Sequence, residues 1–299
     1  MSVVVVGSIN YDLYAKVNNK ISLRDSNPAN IYSSLGGVAY NIAKNLALSG
    51  IDTTLISAVG NDLEANWIKK QLENDSLNSI LIAKNDYKTA KYVALIDNNS
   101  DMNVAASDTK ITESIDYNDL FAYKKLLDKS TYLCLDANLS SYLIVKLCKN
   151  FSDKFIVAEA VSSQKILKFK PVLKHISLLK GNKLEFQALL NTSETDLFIL
   201  ASKVLELGIK SVVITDGENG CIYANNEGVV EFYRPTIVKA LSTSGAGDAF
   251  CAGLIYGLIN KMQILKVGAS FAKFSLLSLM TINDKLNKSS LSKELMEVN

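Results

Sequence analysis

Apolar residues recur along this chain with two periods, and the switches between them mark its elements. The run Val3–Val6 in "SVVVVGSIN" is β-branched and unbroken up to Gly7, the pattern of a central parallel strand buried on both faces. From Tyr11 to Ser34 the chain turns polar, alternates in pieces and carries the turn signal "DSNP" at Asp25–Pro28, which predicts short exposed strands outside the main sheet. "GGVAYNIAKNLALSG" then sets Val38, Ile42 and Leu46 beside Ala39, Ala43 and Ala47 on a helical period closed by Gly50. A strand over "TTLISAVG" and an amphipathic helix over "DLEANWIKKQLEN" follow. Short strands are expected near Ser79–Ala83, Thr89–Asp97 and Met102–Ala106, and these would complete a small β lid.

From Ser130 the units alternate regularly. "TYLCLDAN" reads as a strand, "SSYLIVKLCKN" as a helix, and "KFIVAEA" and "HISLLKGN" as strands. "KLEFQALLN" and "ETDLFILASKVLELG" read as helices, "SVVITDGENG" as a strand and turn, and Gly247–Thr281 as two helices broken near Asn260–Gln263. This alternation predicts an α/β fold with a mostly parallel central sheet flanked by helices. No internal repeat is evident and the 3 prolines leave no linker, so the 299 residues are expected to form one domain, with lid insertions at about 11–35 and 85–107.

Charge and composition remove several functions. The 32 basic and 30 acidic residues nearly cancel, and the lysines are scattered through helical patterns with only Arg24 and Arg234 beside them, so no nucleic-acid partner is expected. Cys134, Cys148, Cys221 and Cys251 form no CxxC pair, which suits reduced thiols in a cytoplasmic protein. The most apolar stretch, Cys251–Met280, is interrupted by Asn260, Lys261, Gln263, Lys266 and Lys273, and no membrane span is expected. His175 is the single histidine and sits in "LKHISLL", which argues against Ser-His-Asp triads and His-ligated zinc. No Gly-Lys dipeptide occurs, so a Walker A loop is excluded. Gly7 opens no GxGxxG, and a dinucleotide-binding motif fails with it.

The stretch "LSTSGAGDAF" (Leu241–Phe250) carries the chemistry. Gly245 and Gly247, around Ala246, let backbone N–H groups converge on an anion while the following helix adds its positive end. Asp248 opens that helix; a carboxylate there also simply stabilises the dipole, and alone the motif is weak. Asn10 and Asp12 follow the first strand, at the C-terminal edge where open α/β sheets bind ligands.

"STSGAGDAFCAGL" together with "GGVAYNIAKNLALSG" resembles the two signature regions of the ribokinase-like, or PfkB-type, carbohydrate and nucleoside kinases, and the likeness runs from "VVVVGSINYD" to "SLLSLMTIN". It implies a ribokinase-like fold. Among the subfamilies, "DSNPANI", "LIDNNSDMNVAASD", "LDANLS" and "KGNKLE" are most similar to the pseudouridine kinases. By this resemblance Asp248 is the base that takes the proton of a sugar hydroxyl attacking the γ-phosphate, with Gly245, Ala246 and Gly247 as the anion hole. Asp12 would accept from sugar hydroxyls, with Asn10, Gly36, Gly37 and Asn41 lining the same site. Asn182 and Glu185 keep the family's NxxE spacing, implying a nucleotide contact and a carboxylate holding a water-coordinated Mg²⁺. Thr215, Gly217 and Gly220 of "TDGENG" would run along the nucleotide phosphates, although a plain hairpin turn also explains those glycines.

Five positions depart from the pattern. Tyr40 replaces an Arg and Glu159-Ala160 an Asp-Pro pair, which bears on the substrate; Gly181 replaces a Pro, which touches loop rigidity; and Ser242 replaces an Asp or Asn, which leaves K⁺ activation open. The expectation is an ATP- and Mg²⁺-dependent kinase of the 5′-hydroxyl of a ribosyl compound, pseudouridine first. Other nucleosides, ribose or fructose are the alternatives, with a catalytically silent binding module further off. Pseudouridine presents an N1–H that uridine lacks, and Ser107 or Asp108 of the lid is expected to accept it, with Lys165 and Tyr40 as further candidates for the base. Relatives pair their lids, so a homodimer through the lid is a further expectation.

Overall fold

The valine run forms β1 (Ser2–Val6), and its side chains alternate between two cores: Val4 and Val6 pack into one cluster, Val3 and Val5 into the other. A strand can feed two cores only when helices cover both faces of its sheet. The computed structural model describes residues 1–75, 77–97, 102–239 and 245–277. After β1 come β2 (Asn10–Val17), β3 (Ala29–Gly36), α1 (Val38–Leu48), β4 (Asp52–Val59), α2 (Leu63–Glu73), β5 (Asn78–Ala83), β6 (Lys91–Ile96) and β7 (Met102–Asp108). Three short helices, α3 (Lys110–Glu113), α4 (Tyr117–Phe121) and α5 (Lys124–Lys129), lead to β8 (Tyr132–Asp136), α6 (Ser141–Asn150) and β9 (Phe155–Glu159). A 3₁₀ segment, Lys165–His175, precedes β10 (Leu178–Asn182), α7 (Lys183–Leu190), α8 (Leu197–Leu205) and β11 (Ser211–Thr215). Two antiparallel strands, β12 (Cys221–Asn225) and β13 (Val230–Tyr233), and the helices α9 (Ala246–Asn260) and α10 (Ile264–Leu276) complete the described elements.

Among the described residues the large sheet has nine strands in the order β13-β12-β11-β10-β9-β8-β1-β4-β5, parallel except for the β12 and β13 edge. The small sheet, β3-β2-β6-β7, is the lid, and it is assembled by parallel pairing of β2 with β6, one strand from each insertion. One expected lid strand belongs elsewhere. Ser79–Ala83 lies in β5 and pairs in parallel with β4, Ile80 opposite Ile56. Its Ile80 and Ile82 pack on one core and Leu81 on the other, so burial on both faces draws it into the large sheet. The strand expected from His175 begins only at Leu178, and the short helices between 110 and 129 carry no clear period.

The helix boundaries follow local chemistry. Asp62, Ser140 and Asp196 cap α2, α6 and α8 by accepting first-turn amides. The break between α9 and α10 falls at Lys261, in the left-handed region at φ 55°. All four cysteines are buried free thiols. Among the described residues no helix is long and apolar enough to cross a membrane.

Candidate active site

The chain leaves β1 at the C-terminal edge of the large sheet and turns at once into β2, which carries Asn10 and Asp12 on one face of the lid. Both are buried, at 8% and 6% exposure. Gly36 pairs with Asn10, and a Cβ on it would overlap the Asp12 carboxylate, so the acid's position requires the glycine. Gly37, at φ 101°, crosses Ser8 so closely that a Cβ would lie 2.6 Å from Ser8 O. Tyr14 Oη donates to Asp12 Oδ2 at 3.1 Å. Asp12 Oδ1 and Asn10 Oδ1 are buried without a partner among the described residues. Burial pushes Asp12 up to about 7, the Tyr14 hydroxyl pulls the other way, and the charge of Asp248 adds to the rise. A pocket with two idle acceptors is suited to a ligand bearing hydroxyl donors.

Asp248 closes the other side. Gly245, at φ 76°, is the N-cap of α9, and Ala246 and Gly247 follow in its first turn, where N–H groups lack intrahelical acceptors. Asn41, on α1, donates from Nδ2 to Asp248 Oδ2 at 2.8 Å and so ties α1 to the first turn of α9. Asp248 is half-buried. Burial pushes it up to about 6, against the Asn41 amide and the Lys180 ammonium, with Asp136 and Glu185 adding to the rise.

Asp136, absent from the sequence reading, holds this corner together. It is fully buried at the end of β8 and accepts from Ser8 N at 2.9 Å, Ser8 Oγ at 2.8 Å, Ala39 N at 3.1 Å and Asn138 N at 2.9 Å. One carboxylate thus fixes the ends of β1, β8 and α1. Lys165 joins the network by donating from Nζ to Asn138 Oδ1 at 2.5 Å.

On the neighbouring strands Asn182 and Glu185 form a reciprocal capping box at the start of α7, Asn182 Oδ1 accepting from Glu185 N at 3.0 Å and Glu185 Oε2 from Asn182 N at 2.7 Å. Glu185 is buried, and burial pushes it up, against the Asn182 N–H and Lys180. Gly181 does more than loosen a loop: a Cβ there would lie 2.8 Å from Glu185 Oε2. Thr215 ends β11, and Gly217 and Gly220, at φ 55° and 115°, form the turn into β12. Lys183 Nζ, which sequence reasoning passed over, pairs with Asp216 Oδ2 at 2.6 Å beside that turn.

Two expected base contacts are corrected. Lid register sets Ser107 opposite Tyr92 and Tyr92 opposite Asp12, so Ser107 shares the face of Asp12. Asp108, one position on, falls on the opposite face beside Lys91. Tyr40 is 2% exposed and donates to Asp75 Oδ2 at 3.0 Å on the body side of α1, where Lys44 also pairs with Asp75. Ser242 lies outside the described residues.

The comparisons agree with this geometry. The profile of the pfkB family carbohydrate kinases matches residues 1–287. The pseudouridine kinase of Escherichia coli (strain K12) is 30% identical over 257 residues, covering 84% of this chain and 82% of that protein. The ribokinase of Thermotoga maritima superposes with a TM-score of 0.85 at 20% identity, covering 99% of each chain. Arabidopsis thaliana ribokinase complexed with ribose and ATP superposes with a TM-score of 0.83 at 18% identity, covering 98% of each. A lid sheet over idle hydroxyl acceptors, a carboxylate at a glycine-opened helix and a whole-chain match converge: this chain belongs to the pfkB family of carbohydrate kinases, phosphotransferases with an alcohol acceptor.

Proposed function

We propose that the chain is a nucleoside kinase that moves the γ-phosphoryl group of ATP to the 5′-hydroxyl of pseudouridine, the whole chain, 1–299, acting as one catalytic unit under its lid. The observation that carries this reading is the convergence of Asp248, held by Asn41, with the idle buried acceptors of Asp12 and Asn10. Ribose hydroxyls would donate to those acceptors, leaving the attacking hydroxyl to give its proton to Asp248 as its oxygen bonds phosphorus. The first-turn amides at Gly245, Ala246 and Gly247 would face the transferred phosphoryl group. Asn182, Thr215, Gly217 and Gly220 would follow the nucleotide phosphates. A divalent cation, when bound, neutralises phosphate charge. Glu185, buried at the start of α7 with Oε2 accepting from Asn182 N, would act as a single carboxylate through the water shell of Mg²⁺.

The identity of the base rests on the lid. Pseudouridine joins ribose through C5 and so presents an N1–H; the Ser107 hydroxyl is the proposed acceptor on the Asp12 face, and Lys165, which donates to Asn138 Oδ1, is the proposed contact for another edge of the base. The likeness to the Escherichia coli pseudouridine kinase supports the same choice. The lid's other face bears exposed Ile31, Val93 and Val104, which favours pairing with the lid of a second copy.

A coupled ADP-release assay over pseudouridine, uridine, ribose and fructose tests the reading. The expected kcat/KM for pseudouridine is at least about a hundredfold above that for uridine, because a site built around a polar group rejects analogues lacking it. Part of that margin should vanish in Ser107→Ala. Equal rates on both nucleosides, or faster turnover of either free sugar, would remove the assignment.

A further inference from the structure

Strand β10 ends in Leu-Leu-Lys-Gly-Asn, and its lysine points inward: Lys180 is 4% exposed. Nζ donates to Glu159 Oε1 at 2.9 Å, from the end of the adjacent strand β9. Burial opposes the charge of Lys180, and the Glu159 carboxylate overrides it, so the ammonium is held above its ordinary range. A buried pair of this kind adds little stability over a well-packed apolar pair, and its presence calls for another reason.

Two features of its surroundings supply one. A Cβ on Gly247 would lie 3.1 Å from Lys180 Nζ, so the ammonium sits directly beneath the first turn of α9. Gly247 does not have a positive φ and is itself exposed. Its missing side chain therefore relieves no backbone strain; it keeps a Cβ from crowding the buried ammonium on the side of the free amides. Moreover, Glu159 engages only one of the three N–H donors of Lys180, and its Oε2 is buried without a partner among the described residues. Among the described residues the pair is thus fixed on the strand side and unsaturated on the helix side.

We propose that Lys180 is a catalytic cation of the phosphoryl-transfer site, donating to a non-bridging oxygen of the transferred group, and that Glu159 is the residue that positions it. This rests on the kinase reading above. In the step, the alcohol oxygen bonds the γ-phosphorus, the bond from that phosphorus to the β-phosphate oxygen breaks, and the alcohol proton passes to Asp248. Lys180 keeps its protons throughout and offsets the charge spread over the transferred oxygens. Gly247 serves as a window between the ammonium and the phosphoryl group.

The double variant Glu159→Gln/Lys180→Met removes both charges together and leaves no unpaired ion. It should keep the urea unfolding midpoint and the KM for the alcohol while kcat falls by about 10² to 10³, the range for one preorganised donor. Gly247→Ala, with the ion pair intact, should lower kcat at least about tenfold at unchanged alcohol KM. Wild-type kcat in the folded double variant would overturn the role of Lys180. Should that variant not fold, wild-type kcat in Gly247→Ala would overturn it instead. An unmodified enzyme inactive on every alcohol of the panel would sink the kinase reading and this role together, whereas an active one with unaffected variants sinks this role alone.

Discussion

At the scale of single residues, the site works by placing carboxylates where water cannot fully serve them. Asp248, the proposed base, must be ionised to accept a proton, and burial pushes it up to about 6. Loss of the ionised base sets an acid limb: kcat/KM should fall as the pH drops through about 6, and Asp12, pushed up to about 7, adds to the loss. Asn41 donates to the charged form, so Asn41→Ala should move this limb to higher pH. A pH–rate profile of kcat/KM checks both, and a limb unmoved in the variant would detach Asn41 from the proposed base. Asp248 was legible in the sequence because its neighbours Gly245 and Gly247 form a local motif. Lys180 was not, because a lysine ending an apolar strand reads as solvated until Glu159, 21 residues away, is seen to enclose it. Asp136 was hidden for the same reason, its partner Ser8 lying 128 residues distant.

At the scale of elements, α9 has to approach α10 closely if its first turn is to stay over β10. Gly253 makes that approach: a Cβ there would meet Gly268 Cα at 2.7 Å and Val267 O at 2.8 Å, both backbone atoms with no room to yield. Gly253→Val should therefore destabilise the fold by about 1 to 3 kcal/mol through overpacking, read as a lower urea midpoint at unchanged slope. An unchanged midpoint would mean that the two helices slide apart freely. The elements themselves were readable, since β1, α1, α9 and α10 all lie where the apolar period places them. Periodicity predicts what an element is, and not which sheet it joins. Hence Ser79–Ala83 was expected in the lid, whereas Ile80, Leu81 and Ile82 find burial on both faces only beside β4. Asp108 and Ser107 differ likewise by one position of register, which decides the face of the lid and which only the pairing with β6 fixes.

At the scale of the whole molecule, the large sheet carries the proposed site at one edge and the small sheet is its lid, one lid face bearing Asp12 and Tyr14 and the other Ile31, Val93 and Val104, at 69%, 45% and 61% exposure. An apolar sheet face of this kind is open to pairing. Val104→Glu together with Ile31→Glu should shift the sedimenting species from two chains to one, and a wild-type chain that already sediments singly would end the lid-dimer proposal. The central claim is that this architecture delivers a phosphoryl group to the 5′ oxygen of a nucleoside with Asp248 as base. The most direct measurement is phosphorus–proton correlation NMR of the product formed from pseudouridine and ATP, run in parallel with Asp248→Asn. The account predicts phosphate on O5′ and a kcat lower by about 10² to 10⁴ in the variant, with the KM for pseudouridine little changed. Phosphate on another hydroxyl, or product formed by the variant at the wild-type rate, would contradict it.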